Sequence, residues 1–383
     1  MATLAYFTAD GVLIPVVPLF VEGPLGGGDV AVGLAVGAFS FTALLLRPWA
    51  GGLGDRRGRR LLMVTGAAIF GLSALAYVVA DSVPLIVAAR ALTGCGEAFF
   101  FVGAAAAIAD IAPPERRGEA VSFFSLSLYL GIGWGPPIGE AVLGETRFDA
   151  AWLAALAFAA VAVLLSLRVP ETRPAMSGTG SADSARRLIH PAGILPGFVL
   201  LTGVWGMAGL FSFVPLYATE IGLSGSRYVF VVFSAVVILI RSVGARLPDV
   251  LGARRAAGLA LFGEAAGLTI MALWREPAGL YVGALVMASG VSLAFPALAS
   301  LALSGAPDSE RGSVLGTFTM AVDLGFGIGP VTLGAVAAAV GYPGSFLAAA
   351  GAAAVGIGVL LALGARPSLS TARAEPPAPV PEL

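Results

Sequence analysis

Lysine is missing altogether: all 22 basic residues are arginine. Without lysine there can be no G-x-x-x-x-G-K-[ST] phosphate loop, which disfavours ATP-driven pumping. Cysteine occurs once, at Cys95, which rules out an internal disulfide, and histidine occurs once, at His190. Neither can build a metal site by itself. There is no catalytic histidine and no recognisable Ser/Lys or paired-aspartate helix motif, so an enzyme is not expected. Charge is scarce too. Only 12% of the 383 residues are charged, against about 25% in a soluble domain. What fills the chain instead is apolar sequence, at 58% hydrophobic residues and a mean hydropathy of +0.92. Those values describe a polytopic membrane protein with no nucleic-acid partner. The net charge of −1 says little, because the placement of charge matters more than its sum.

Apolar runs long enough to cross a bilayer fall at 2–21, 31–53, 61–80, 83–111, 118–143, 150–168, 193–217, 228–247, 255–273, 277–304, 312–340 and 343–364. Met1 leads straight into the first run without the basic stretch of a signal peptide, so that run is read as a first membrane helix. Twelve spans are expected, with short connections except at 169–192, a polar Pro/Ser/Gly-containing linker. Residues 365–383 are Pro- and Ala-rich and are expected to be a disordered tail. When the connections are sorted by alternation, sixteen arginines collect on one side, three on the other, and Arg47, Arg90 and Arg241 fall within spans. That asymmetry places both termini in the cytoplasm.

The densest charge is in Gly51–Arg60, GGLGDRRGRR, a tight cytoplasmic turn with Gly58 at its bend. The chain repeats at an offset of 194 residues. Phe39 and Ser40 fall on Phe233 and Ser234, Arg47 on Arg241, Asp55 on Asp249, Gly58 on Gly252, and Gly131, Gly135 and Pro136 on Gly325, Gly329 and Pro330. Two parallel six-helix halves are therefore expected, an N-terminal bundle at 1–168 and a C-terminal bundle at 193–364, with a substrate site near the midplane between them.

The whole chain resembles a twelve-helix transporter of the major facilitator superfamily, close to its drug/proton antiporters. The family's loop signature reads Gly51, Leu53, Asp55, Arg56, Gly58, Arg59 and Arg60. Its fourth-helix signature reads Arg90, Gly94 and Gly96, and its fifth-helix signature Gly131, Gly135, Pro136 and Gly139, with Glu140 where a further glycine is expected. The resemblance implies an all-α membrane fold of two six-helix bundles related by a pseudo-two-fold axis. It implies a monomer in the lipid bilayer of the inner membrane that moves a small-molecule substrate by alternating access, with no cofactor and with protons as the energy source. It also implies that Asp55 latches the two halves at the cytoplasmic face, with Asp249 as a weaker twin. The fifth-helix pattern implies export, although its recurrence at Gly329 and Pro330 is also what helix packing after a duplication would leave. A sugar or metabolite carrier on the same fold is the alternative, and a non-transporting ligand sensor a more distant one.

Ionisable groups inside the membrane are costly and normally face a cavity or a partner. Asp10 in the first span, Glu97 in the fourth and Asp323 in the eleventh are the candidates for proton coupling or substrate contact. Arg90, two turns before Glu97, is too far along the helix for a direct ion pair with it. A carboxyl in such a cavity that takes a proton from one side and releases it to the other is what coupling requires. Arg47 and Arg241 either snorkel to the surface or pair with Asp55 and Asp249. Glu140 is expected at the outer interface, and Glu264 has no evident role. Aromatic residues near the cavity helices, among them Tyr6, Phe100, Tyr129 and Trp205, suit amphipathic organic substrates.

Overall fold

A backbone in hydrocarbon must satisfy its own hydrogen bonds, and these apolar runs do so as helices. The computed structural model describes residues 1–113, 116–144, 146–172, 189–244, 250–307 and 310–364. The helices are α1 (Ala2–Glu22), α2 (Gly28–Arg57), α3 (Arg59–Val78), α4 (Val83–Ile111), α5 (Arg117–Leu143), α6 (Phe148–Leu167), α7 (Pro191–Glu220), α8 (Arg227–Val243), α9 (Ala253–Leu273) and α10 (Pro277–Ser304). A last helical run, Arg311–Gly364, breaks at Gly341, whose φ of 77° and ψ of 172° are not helical. It divides into α11 (311–340) and α12 (342–364). Twelve helices result, and no strand occurs among the described residues. Asp249 and its neighbours at 245–249, most of the linker and the 365–383 tail lie outside the described residues.

Start signals are local. Proline opens α4, α7 and α10, where its missing N–H costs nothing. Gly58, with φ of 104°, turns α2 into α3. Its repeat mate Gly252, with φ of 79°, precedes α9. Pro136 and Pro137 sit inside α5, which continues through them.

Helices α1 to α6 pack mainly on one another, as do α7 to α12. Small residues make this possible, since in lipid there is no hydrophobic force to drive helices together and close van der Waals contact replaces it. On α5, Gly131 and Gly135 lie against Phe7, Thr8 and Gly11 of α1, and Gly139 lies against Val12. On α11, Gly325 and Gly329 lie against Val204, Trp205 and Ala208 of α7. The middle glycine of each triplet turns outward to the opposite half, Gly133 to Ser234 on α8 and Gly327 to Phe41 on α2. The repeat read in the sequence is thus repeated in which surface each glycine serves.

The two halves meet along α2–α11 and α5–α8. Gly33 abuts the Pro330 carbonyl, Gly37 the Gly327 carbonyl, and Gly334 the Asp29 carbonyl. These contacts run from mid-height to the end of the bundle that carries few arginines.

Candidate functional site

Arg47 sits in the middle of the charged layer. Its Nη2 donates to Glu97 Oε1 on α4 at 3.0 Å, and its Nη1 lies 3.0 Å from Asp323 Oδ2 on α11. One guanidinium therefore holds an acid from each half. It also lies 4.8 Å from the centre of the Phe101 ring. Glu97 and Asp323 are buried, with side chains 7% and 8% exposed. A buried ion pair is close to break-even against its desolvation, but removing one partner costs about 3–5 kcal/mol. Such a pair is poor glue and a good switch. The expectation that Arg47 snorkels or meets Asp55 is corrected: the two acids within reach at mid-depth hold it there.

A second pair lies beside it. Arg90 Nη1 is 3.9 Å from Asp10 Oδ1, and the Arg90 guanidinium covers the Phe39 ring at 4.7 Å. Arg90 and Glu97 make no ion pair with each other, as the helical spacing requires; each finds a partner on another helix. Tyr6 stacks on Phe100 at 4.0 Å, fully buried. The hydroxyl of Tyr6, Glu97 Oε2, Arg47 Nε and Arg90 Nε have no hydrogen-bond partner in the protein. The layer therefore carries spare donors and acceptors. The chain has no asparagine or glutamine, so any polar recognition here must use charges, hydroxyls and backbone.

Arg241 reaches across the boundary between the halves, while its other expected partner, Asp249, lies outside the described residues. Its guanidinium lies 4.4 Å from the centre of the Tyr129 ring on α5, in the opposite half. Of the other aromatics, Trp134 is 59% exposed, and Trp205 Nε1 donates to Thr332 Oγ1 at 3.0 Å.

At the arginine-rich end, Arg59 Nη1 donates to Asp55 Oδ1 at 2.7 Å and its Nε to Asp110 Oδ2 at 3.2 Å. Glu171, from the start of the linker, accepts from the backbone N–H of Arg59 at 2.7 Å and of Arg60 at 3.3 Å. It thereby caps α3 directly above Gly58, where a side chain would overlap it. These contacts stay within one half. Leu53 packs beside Ala50, Leu62 and Phe99, Gly51 borders open space, and Arg56 and Arg60 are exposed. At the opposite end, Glu140 accepts from the backbone N–H of Ser226 at 2.8 Å and of Arg227 at 3.0 Å, and from the Ser226 hydroxyl. It closes the N-terminus of α8 from across the boundary between halves. Its place in the sequence, at the glycine position of the fifth-helix signature, gave no sign of that contact.

The sequence model of the Major Facilitator Superfamily matches residues 1–250 and again 226–382. The chain belongs to the major facilitator superfamily. It is 29% identical over 373 residues to an uncharacterized MFS-type transporter of Salmonella typhimurium, covering 93% of each. It is 26% identical over 375 residues to the uncharacterized MFS-type transporter YhhS of Escherichia coli, covering 96% of this chain and 92% of that one. Among solved structures, the nucleoside transporter NupG superposes with a TM-score of 0.80 at 12% identity, over 94% of this chain and 98% of the other. The human organic anion transporter MFSD10 gives 0.68 at 20% identity, over 94% and 97%. Membership makes this a multi-pass membrane protein that carries out secondary transport of small molecules across the bilayer, and its family acts without a bound cofactor.

Proposed function

We propose that the chain is a proton-coupled exporter of small organic compounds in the inner membrane of a bacterium. It works as a monomer, by rocking residues 1–168 against 193–364, with both termini and the 169–192 linker on the cytoplasmic side. The reading is carried by Arg47, held at once by Glu97 of one half and Asp323 of the other. A proton taken up by either acid neutralises one of the two counter-charges of Arg47 and loosens its hold on that side. The protonation state of the layer is thereby linked to how firmly the halves are joined at mid-depth. Asp10 and Arg90 form a second such pair within one half.

In this reading, the arginine-rich end is cytoplasmic and the opposite end is sealed, by Glu140 on α8 and by the close contact of Gly33 with Pro330. The site then faces the cytoplasm and takes up substrate from there. Asp55, held by Arg59 of its own half, is free to move to the other half when the inner end closes. Gly133 of α5 and Gly327 of α11, which face the opposite half, provide the close, sliding contact that rocking needs.

A growth screen of expressing cells against toxic compounds identifies a substrate. Its accumulation in everted membrane vesicles is then followed with and without a protonophore. Loss of accumulation with the protonophore is expected; unchanged accumulation contradicts proton coupling.

A further inference from the structure

The 194-residue offset that puts Arg47 on Arg241 also puts Asp323 on Tyr129. The two contacts are the same contact made twice. In one, an arginine of α2 crosses to α11 and meets a carboxylate. In the other, an arginine of α8 crosses to α5 and meets the face of a neutral ring. The repeat mate of Glu97, the other partner of Arg47, is Val291. Arg241 therefore occupies the place of Arg47 with both counter-charges removed.

Three observations make this a site rather than a relic. Among the described residues, no aspartate or glutamate lies within ion-pair distance of Arg241, whereas Arg47 and Arg90 are both paired. The Arg241 Nε–H is buried and has no acceptor in the protein. The residue as a whole is only partly buried. An arginine keeps its charge in any environment, and a charge inside the membrane calls for a partner. The Tyr129 ring attracts the guanidinium, but it does not neutralise it. What the guanidinium still lacks is an acceptor at Nε, on a group that can offer parallel N–H donors to two oxygens.

We propose that Arg241 and Tyr129 form an anion-binding subsite between the halves, and that the transported compound carries a carboxylate or phosphate group that docks on the guanidinium of Arg241. The ligand supplies from outside the charge that Asp323 supplies to Arg47 from within. Because Tyr129 and Arg241 belong to different halves, an anion bound there also contacts the boundary that alternating access must move. The assignment rests on the transport reading, in that it takes the space between the halves as the substrate's path.

The test is equilibrium binding without any gradient, so its outcome is independent of proton coupling. Purified protein in detergent is melted with 2-naphthoate, 2-naphthyl phosphate or the uncharged 2-naphthamide, and unfolding is followed by a thiol dye on Cys95. At least one of the two anions is expected to raise the melting temperature by about 2 °C or more, and the amide not to. Arg241→Gln is expected to abolish that shift and Arg241→Lys to keep part of it. Tyr129→Asp restores the internal carboxylate. It is expected to melt higher than the unsubstituted protein without ligand and to lose the response to anions, which keeps the test decisive if Arg241→Gln fails to fold. Absence of stabilisation by both anions, or an undiminished shift in Arg241→Gln or Tyr129→Asp, overturns the proposal.

Discussion

Arg47 Nη1 stands 3.0 Å from Asp323 Oδ2, and that ion pair joins α2 to α11 across the boundary between the two halves. Asp323→Asn removes the charge and keeps the shape. Arg47 then belongs to Glu97 alone, and a coupling acid is lost. Proton-driven net transport is expected to fall by about tenfold or more, the equivalent of one lost interaction of ~1.4 kcal/mol or above. Substrate exchange at equal pH on both sides should persist. Net transport at the unsubstituted rate in reconstituted vesicles would remove Asp323 from the coupling path.

Asp10 and Glu97 are separable by the same approach. Asp10→Asn leaves Arg90 on the Phe39 ring without its carboxylate, while Glu97→Gln weakens the triad on the side opposite Asp323. The acid that couples is the one whose amide abolishes gradient-driven transport but spares exchange. Full gradient-driven transport in both variants leaves coupling to Asp323 alone.

Close packing makes a contrast between two glycines of the same pattern. A methyl group at Gly135 would overlap Gly11 and Val12 of α1, where both neighbours are backbone. A methyl group at Gly327 would meet Phe41 at ordinary contact distances of 3.5 to 3.7 Å. Gly135→Ala is expected to cost about 1–3 kcal/mol of stability through overpacking. Gly327→Ala should melt close to the unsubstituted protein. Equal melting temperatures for the two would show that α1 and α5 adjust without strain.

Much of this was legible in the chain because hydrocarbon is a strict solvent. Apolar runs had to become helices, and the run that ends near 340 ends where Gly341 leaves the helical region. The repeat was legible because the same glycines and the same Arg47 and Arg241 recur at one spacing. Pairing across helices was not legible. Arg47 is nearest in sequence to Asp55 yet meets Glu97 and Asp323, since helix packing and not sequence distance decides which charges share a depth. Glu140 read as an interfacial acid, because nothing in its own neighbourhood shows that the N-terminus of α8 stands opposite it.

That Glu140 contact can be broken alone. A carboxylate at a helix N-terminus contributes about 0.3–1 kcal/mol, and up to ~2 kcal/mol when partly buried. Glu140→Gln is therefore expected to shift the population toward opening of the arginine-poor end by several-fold. Spin labels at the exposed positions Ala141 and Tyr228, in a Cys95→Ser background, report the distance between α5 and α8. A longer-distance component should grow in Glu140→Gln; an unchanged distribution would mean that Glu140 does not hold this end closed.

Asp55 tests the opposite end. Asp55→Asn removes the carboxylate that Arg59 holds at 2.7 Å and that alternating access would pass to the other half. Membrane insertion should be intact by fractionation and transport impaired. Normal transport would reduce the charged turn to an anchor of topology.

Proton movement caused by substrate is the most direct measurement of all. Vesicles containing the purified transporter, the substrate and a trapped pH dye are diluted into substrate-free buffer at the same pH. Efflux of substrate is expected to acidify the interior in the unsubstituted protein, and the pH change should vanish with the amide of the coupling acid. Substrate leaving at the full rate with no change of internal pH would contradict proton-coupled export.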